Sequence, residues 1–529
     1  MKKAIVALLF LSCFSGNAQL KKNVEIEVVG RPSWQMSIPM AEDGLIFLVK
    51  TDITKMAVFR FDSELNKLWE KEVFLDAEEP PKAYTIAKDH ISLMFSETSG
   101  MYYQVFEFNL DNGELAQSGF ELREFFVDQD YVFLDDKVVM AGYNEKGAAY
   151  FIHNFLSDQG KLEEQPEITG KVAVNLFEYV SEKNEIESVW AVKTMGYSNE
   201  KKKKGEFVKD AFVVYADLDT TGKVINKTII KQSGGKFPLN GRLLRMANGR
   251  KVVMGTYQSN TGDKGIYYYD LSVGGQIKTY SYTSLFKGNN SLSVKDLEAL
   301  LSSYEFMIND PLEGEDKIIF GGVFIRAQFQ SVTEQNPNYD PYRNGGYGRP
   351  YGNGRYGYSG MQSRTTTREV FRGYHYPVGF VMELETDGEL ITVNRIDINN
   401  LSNQMQPTLA YNKKGAVSYC LKGDLATNNF NIGNRPMLYK LSEDDKRNII
   451  DVQTLSSIPS YNGVKFWYNN YFIAEGSRSK IEAISINDKA GSSAKPARRG
   501  LFGKKQQKTP ASYSQIRKTI YLTKIASGA

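Results

Sequence analysis

Two kinds of text in this chain could do chemistry. The first lies in 338–360, where Tyr342, Arg343, Tyr347, Arg349, Tyr351, Arg355, Tyr356 and Tyr358 are spaced by Gly, Asn and Pro. So much Gly works against a packed core. Tyr offers a large contact area with few torsions to freeze, and Arg forks onto carboxylate or phosphate. Three targets fit: sugar rings stacking on Tyr, anionic polymers pairing with Arg, or a protein groove that orders the whole loop. The second is cationic: the run Lys201, Lys202, Lys203, Lys204, and the group Arg498, Arg499, Lys504, Lys505. These residues build a positive surface or are simply solvated loops, as the Tyr/Arg segment can be a plain spacer.

Catalytic text is thin. His90, His153 and His375 are the only histidines and stand far apart, so a metal or triad site needs the fold to bring two of them together with carboxylates. Asp217 opens a calcium-loop-like string, but Thr221 and Thr228 stand where an Asp or Asn and the bidentate Glu belong, so the string reads as a hairpin turn. Gly500 and Gly503 are too close for a phosphate loop, and no Ser or Thr follows Lys505. No motif asks for a cofactor. Carboxylates on the innermost strands of a ring could still serve glycoside chemistry, with Glu42, Asp89, Asp128 and Glu178 as the candidates.

The elements that must position these residues are β-strands in a repeat. Eight times, an apolar-alternating strand runs into a small polar turn and a second strand, most clearly in 58–73, 105–122, 212–230 and 379–398. Fainter copies begin at Ala149, Ile266, Pro436 and Lys518. Around the second copy, 83–88, 90–96, 102–109 and 114–122 make four strands, and Gly113 supplies the positive φ of the hairpin. Four-stranded units in radial array protect their sheet edges. The expectation is an all-β chain: a single β-propeller over 23–527 with eight blades, seven as the alternative, or else linear sandwiches. The last unit stops one strand short, and 23–29 can supply the missing strand and close the ring. With 32 Tyr and 30 Phe the composition is β-rich. Helical text is scarce; its best stretch is 293–303, with Ser293 as cap and Val294, Leu297, Leu300 and Leu301 on one face.

Residues 1–18 read as a signal peptide: Lys2 and Lys3, an apolar run, then Gly16, Asn17 and Ala18 before the cut. Cys13 raises the alternative of a lipoprotein anchor, though the Leu expected three places ahead of it is missing. Cys420 is then the only cysteine of the mature chain, so no internal disulfide forms. No later stretch is long and apolar enough to span a membrane. Export to the periplasm or cell surface follows, and it argues against nucleic acid as partner, even though Arg-Gly-Tyr text also occurs in RNA-binding segments.

Long insertions are expected between the second and third strands of four units, at 196–210, 327–378, 421–435 and 477–517. In a propeller these connections share one face of the disc, so the insertions should gather there. Three of them are basic, at net +2, +3 and +8, while the whole chain is +3. Setting them and the signal peptide aside leaves the rest at about −12, so the expected molecule is an acidic ring with one basic face.

On the strand–turn–strand units, the chain resembles secreted bacterial β-propellers of the kelch-like and quinoprotein-like kind. The Gly321-Gly322 pair does not recur in one context, and Trp34, Trp69, Trp190 and Trp467 do not recur at one position, so no functional residue carries over. The function expected is an exported, non-catalytic scaffold or binding protein of the cell envelope. It would dock a protein complex or anionic polysaccharide on the basic face. The alternative is a carbohydrate-active or other hydrolytic propeller with carboxylates at the central channel.

Overall fold

A computed structural model describes residues 21–29, 32–97, 100–134, 136–165, 168, 171–193, 211–288, 291–335, 365–402, 405–429, 437–439, 460–485 and 512–526. The chain is a β-propeller. Its described strands form eight antiparallel sheets, six of four strands and two of five, each running outward in sequence order except the last, whose outer strand comes from the N-terminal end. We number them 1 to 8. Their innermost strands are Gln35–Pro39, Ala83–Ile86, Val127–Leu134, Lys171–Val180, Lys236–Pro238 with Arg242–Arg245, Glu305–Ile308 with Leu312–Glu313, Leu409–Tyr411 and Ser460–Tyr468.

The polar turn that marks the repeat has a common chemistry. In sheets 1 to 5 the third strand ends on, or is followed directly by, an Asp or Asn whose side chain accepts from backbone N–H groups of the turn. Asp62 takes Glu64 and Asn66 (both 2.8 Å), Asn109 takes Asp111 (2.9 Å), and Asn154 takes Leu156 (3.0 Å). Asp219 takes Thr221 and Asp270 takes Ser272, each at 2.8 Å. Such Asx turns satisfy donors that the ladder leaves open and fix the hairpin length. The calcium-like string at Asp217 is one of these turns, with Gly222 at φ +79°.

Each sheet packs on the next through its own apolar layer. Ile46, Trp69 and Phe95 join sheets 1 and 2; Tyr150, Phe177 and Trp190 join sheets 3 and 4; Phe320, Tyr268 and Phe380 join 5 and 6. A further layer joins sheet 8 to sheet 1, with Trp467, Ile473 and Leu522 against Leu45, Phe47 and Phe59. The outer strand of sheet 8 is Lys21–Val29, paired along its length with the last strand, from Lys21 opposite Ile525 to Val29 opposite Arg517. Its Ile26 and Val28 are buried in that layer.

The inner strands carry a second repeat that the sequence reading did not see. Those of sheets 3, 4 and 8 slip register at Gln129, Asn175 and Asn462, while those of sheets 5 and 6 break at 239–241 and 309–311. A bulge re-aims the side chain at the slip, and here it bridges sheets. Gln129 accepts from Val174 N (2.8 Å), Asn175 from Gly241 N (3.0 Å), and Asn309 donates to Leu409 O (2.8 Å). The bulge also drives a carbonyl over the second strand, where only glycine fits. A Cβ at Gly142, Gly255 or Gly322 would lie 2.0 to 2.1 Å from an inner-strand oxygen, and at Gly476 2.9 Å. Gly322 therefore does recur in one context, as a single glycine rather than as a pair.

The helix is Val294–Ser303, and Ser293 Oγ accepts from Asp296 N at 3.1 Å. Leu297 and Leu300 are buried, but Val294, expected on the same face, is 75% exposed.

Candidate functional site

Every Tyr, Arg and Lys singled out in 338–360, at Lys201 to Lys204 and at Arg498, Arg499, Lys504 and Lys505 lies outside the described residues, as do residues 1–18. What is described is where the segments leave the ring. In sheet 6 the second and third strands, Lys317–Gln335 and Thr365–Glu385, stay paired out to Gln335 opposite Thr365. The inner strand reaches only Ile325 and the outer strand only Tyr374, so the last eight or nine pairs form a two-stranded ribbon about 25 Å long. Its Phe329 and Phe371 are 59% and 43% exposed, their rings 5.6 Å apart. Sheet 8 does the same: Tyr471–Ser485 pairs with Ser512–Ala526 beyond both neighbours. The insertions expected at 327–378 and 477–517 therefore begin and end as β-ladder, not loop.

The insertion expected at 421–435 is not between the second and third strands. Leu421 pairs with Asp424 across a tight turn, with Lys422 at φ +50° and Gly423 at φ +86°, and the third strand is Asp424–Asn429. Asn-rich text of low β-propensity disguised a strand there. The face is also not uniformly basic. A cleft of about 930 Å³ opens beside the second-to-third hairpin of sheet 1, lined by Glu27, Asp52, Glu70, Glu72, Glu78 and Glu79 with Lys50 and Lys55. Lys50 is buried and donates to Leu75 O (2.6 Å) and Ala77 O (2.7 Å); burial lowers its pKa.

The three histidines are not brought together. His90 bonds exposed Asp89 at 2.8 Å. His153 is 4% exposed and stacks on Phe120 with ring centres 4.3 Å apart; burial lowers its pKa. His375 stands on the base of the sheet 6 ribbon and contacts Tyr304. Among the described residues, no group of three His, Cys, Asp or Glu could hold a metal ion.

Of the four acids proposed for inner strands, Glu42 and Asp89 sit in connections to the second strands, while Asp128 and Glu178 are on inner strands. The inner strands hold a group that pattern reading missed. Arg242 of sheet 5 pairs with Asp310 of sheet 6 at 3.4 Å and donates to Asn175 O of sheet 4. Asp130 of sheet 3 is half-buried; burial pushes its carboxyl up to about 7, Arg242 opposes that, and Glu178 adds to it. The charge of Asp310 also raises the pKa of Tyr84 in sheet 2, after burial as the main cause. Both missed acids sit at or beside a bulge or strand break, where two-residue alternation no longer says which way a side chain points.

No family model and no curated protein matches the chain. Solved structures similar to it include the polysaccharide lyase Uly1 (10% identity, 85% of this chain and 90% of that chain, TM-score 0.39) and the Dos1 propeller (9%, 86% and 91%, 0.37). TolB from Acinetobacter baumannii is a third (10%, 70% and 66%, 0.28). These likenesses are to the fold.

Proposed function

We propose that the chain is an exported binding protein of the bacterial cell envelope, and that it docks an anionic glycan or a protein complex on the face from which its basic insertions leave. The observation that carries this reading is the pair of ribbons in sheets 6 and 8. Both are second-to-third hairpins, and in antiparallel sheets arrayed around one axis such hairpins point to the same side. The ribbon of sheet 6 lifts exposed Phe329 and Phe371 away from the ring at the root of the Tyr/Arg segment. Stiff ribbons cut the entropy lost when a tip is captured. The export signal at 1–18 supports an extracytoplasmic address, and no helix among the described residues is long and apolar enough to cross a membrane. The test is affinity purification of the tagged protein from its own envelope, beside a variant lacking 338–360. A stoichiometric glycan or protein lost with the segment supports the reading; recovery of both versions alone removes it.

A second reading has one observation in its favour. A carboxyl kept protonated by burial, with a second carboxyl and an arginine close enough to act on it, is what a general acid needs, and Asp130 with Glu178 and Arg242 is such a group. Turnover of an envelope glycan abolished by Asp130→Asn, but unaffected by removal of 338–360, would favour it over the first.

A further inference from the structure

Between sheets 5 and 6 lies a cleft of about 330 Å³, whose wall includes Asn240, Lys264, Tyr282, Tyr304, Glu305 and Phe306; Arg326 and His375 adjoin it at the rim through Tyr304. Three features set it apart from ordinary packing. Tyr282 is 3% exposed, and its buried hydroxyl finds no partner among the described residues. Tyr304, the residue that ends the capped helix, places its hydroxyl 3.0 Å from His375 Nδ1, while His375 Nε2 lies 3.1 Å from Asn399 Oδ1. Arg326, opposite His375 in the ladder, holds its guanidinium 5.8 Å from the Tyr304 ring centre and pairs with no carboxylate among the described residues.

The backbone is bent to make this arrangement. Pro377 lies where the third strand of sheet 6 slips register against both neighbours, and a proline inside a sheet needs such a slip because it brings no N–H. On the outer strand the extra residue falls at Asn399, held at φ +46°, which turns its amide toward His375. Asn tolerates that conformation better than most residues. The amide oxygen only accepts, so Nε2–H donates to Asn399; in the neutral ring Nδ1 then accepts from the Tyr304 hydroxyl, and the phenolic oxygen keeps its lone pairs for a ligand.

We propose that this cleft is a binding subsite for one sugar unit bearing a carboxylate or sulfate. Arg326 forks onto the anion at the rim, and the Tyr304 oxygen accepts from a sugar hydroxyl. The aromatic wall takes the apolar sugar face. The proposal rests on the glycan form of the binding reading, and gives it an address at the foot of the ribbon rather than in the Tyr/Arg segment.

The chain has only three histidines, so their Hε1 proton signals are separable by substitution. Tetragalacturonate, a κ-carrageenan tetrasaccharide (sulfated and free of carboxylates) and cellotetraose would be titrated into the full-length protein, following those signals and the heat of binding. The expected result is movement of the His375 signal alone, with one or both anionic sugars and not with cellotetraose. Which anionic sugar acts separates carboxylate from sulfate. Arg326→Ala should weaken binding at least tenfold and Tyr304→Phe about three- to tenfold, with unchanged melting temperatures showing that both variants fold. A His375 signal that stays put with both anionic sugars, or an Arg326→Ala protein that binds them as tightly as the parent, overturns the proposal. The variant lacking 338–360 keeps the two ideas apart. If it loses envelope glycan but still moves the His375 signal, both stand; if envelope glycan is retained by the parent and the His375 signal is still, only the subsite fails.

Discussion

At the residue scale, the buried charges decide what can be altered. Glu475 is 3% exposed and accepts from Ser37 N at 3.1 Å and from the Ser37 hydroxyl. Lys465 donates to Ser37 O at 2.6 Å; burial lowers its pKa and that of Lys518, with Glu475 pulling both back up. Glu475→Ala removes the counter-charge of two half-buried lysines and is expected to destabilise by about 2–4 kcal/mol, seen as a fall in the urea midpoint, whereas Glu475→Gln should keep part of the Ser37 bonding and lose less. Asp130 gives a prediction with a defined sign. Its folded carboxyl holds a proton up to about pH 7, well above where an unfolded Asp releases it. The folded state therefore binds the extra proton between those values, and stability falls as pH rises through that window. Asp130→Asn has no such titration. It should raise stability by about 2–4 kcal/mol at pH 8 and by much less near pH 4, and melting curves at the two pH values check this. A gain of equal size at both would remove the assignment.

At the scale of the element, the inner-strand bulge and its glycine act as one unit. Gly142→Ala places a methyl 2.1 Å from Val127 O, and Gly255→Ala places one 2.0 Å from Asn240 O. Neither oxygen is the end of a flexible side chain, so the strands must part. A loss of about 2–3 kcal/mol or more is expected for each, measured by chemical denaturation. The counterpart in sheet 4 is instructive: Trp190 stands opposite the last paired residue before the Asn175 bulge, and it is fully buried in the layer shared with sheet 3. The bulge thus tolerates a large side chain where the neighbouring sheet leaves room, and requires glycine where the carbonyl turns inward. The helix is a smaller case. Ser293→Ala should cost about 1 kcal/mol through loss of the cap and loosen the placement of Tyr304.

At the scale of the molecule, the strand Lys21–Val29 holds the two ends of the chain together. We read the eight sheets and the layer between sheets 8 and 1 as a closed ring tied by this strand. Deleting 23–30 unpairs the last strand and strips Ile26 and Val28 from the sheet 8–sheet 1 layer; two such side chains contribute roughly 3–6 kcal/mol by burial. The melting temperature should fall sharply, and the last strand, Ser512–Ala526, should lose its protection against amide exchange first. An unchanged melting curve would speak against closure. Removing 338–360 should instead leave the melting temperature where it is, since that segment joins the tip of a ribbon that has already left the ring. Charge is also a whole-molecule property here. The acidic cleft at sheet 1 shares its face with the ribbons, so an approaching polyanion meets attraction and repulsion within one surface, and its orientation is set as much as its affinity.

Strand text was legible in the residues because alternation and Asx turns are local. The units at 90–96 and 102–109, the hairpin at Asp219 and the Ser293 cap all stand where short-range pattern puts them, and the strand 23–29 was recognisable as the one missing from the last unit. Three things needed the tertiary structure. A bulge is a mismatch between two strands, so neither Asn175 nor Gly142 announces it alone. The third strand at Asp424–Asn429 exists because its neighbours pair with it, not because Asn favours extended backbone. Tyr304, Arg326, His375 and Asn399 converge because a helix end and three strands of one sheet meet beside a bulge, across sequence gaps of up to 95 residues. Local periodicity reports which residues share a face; only the packing of distant elements decides which of those faces meet.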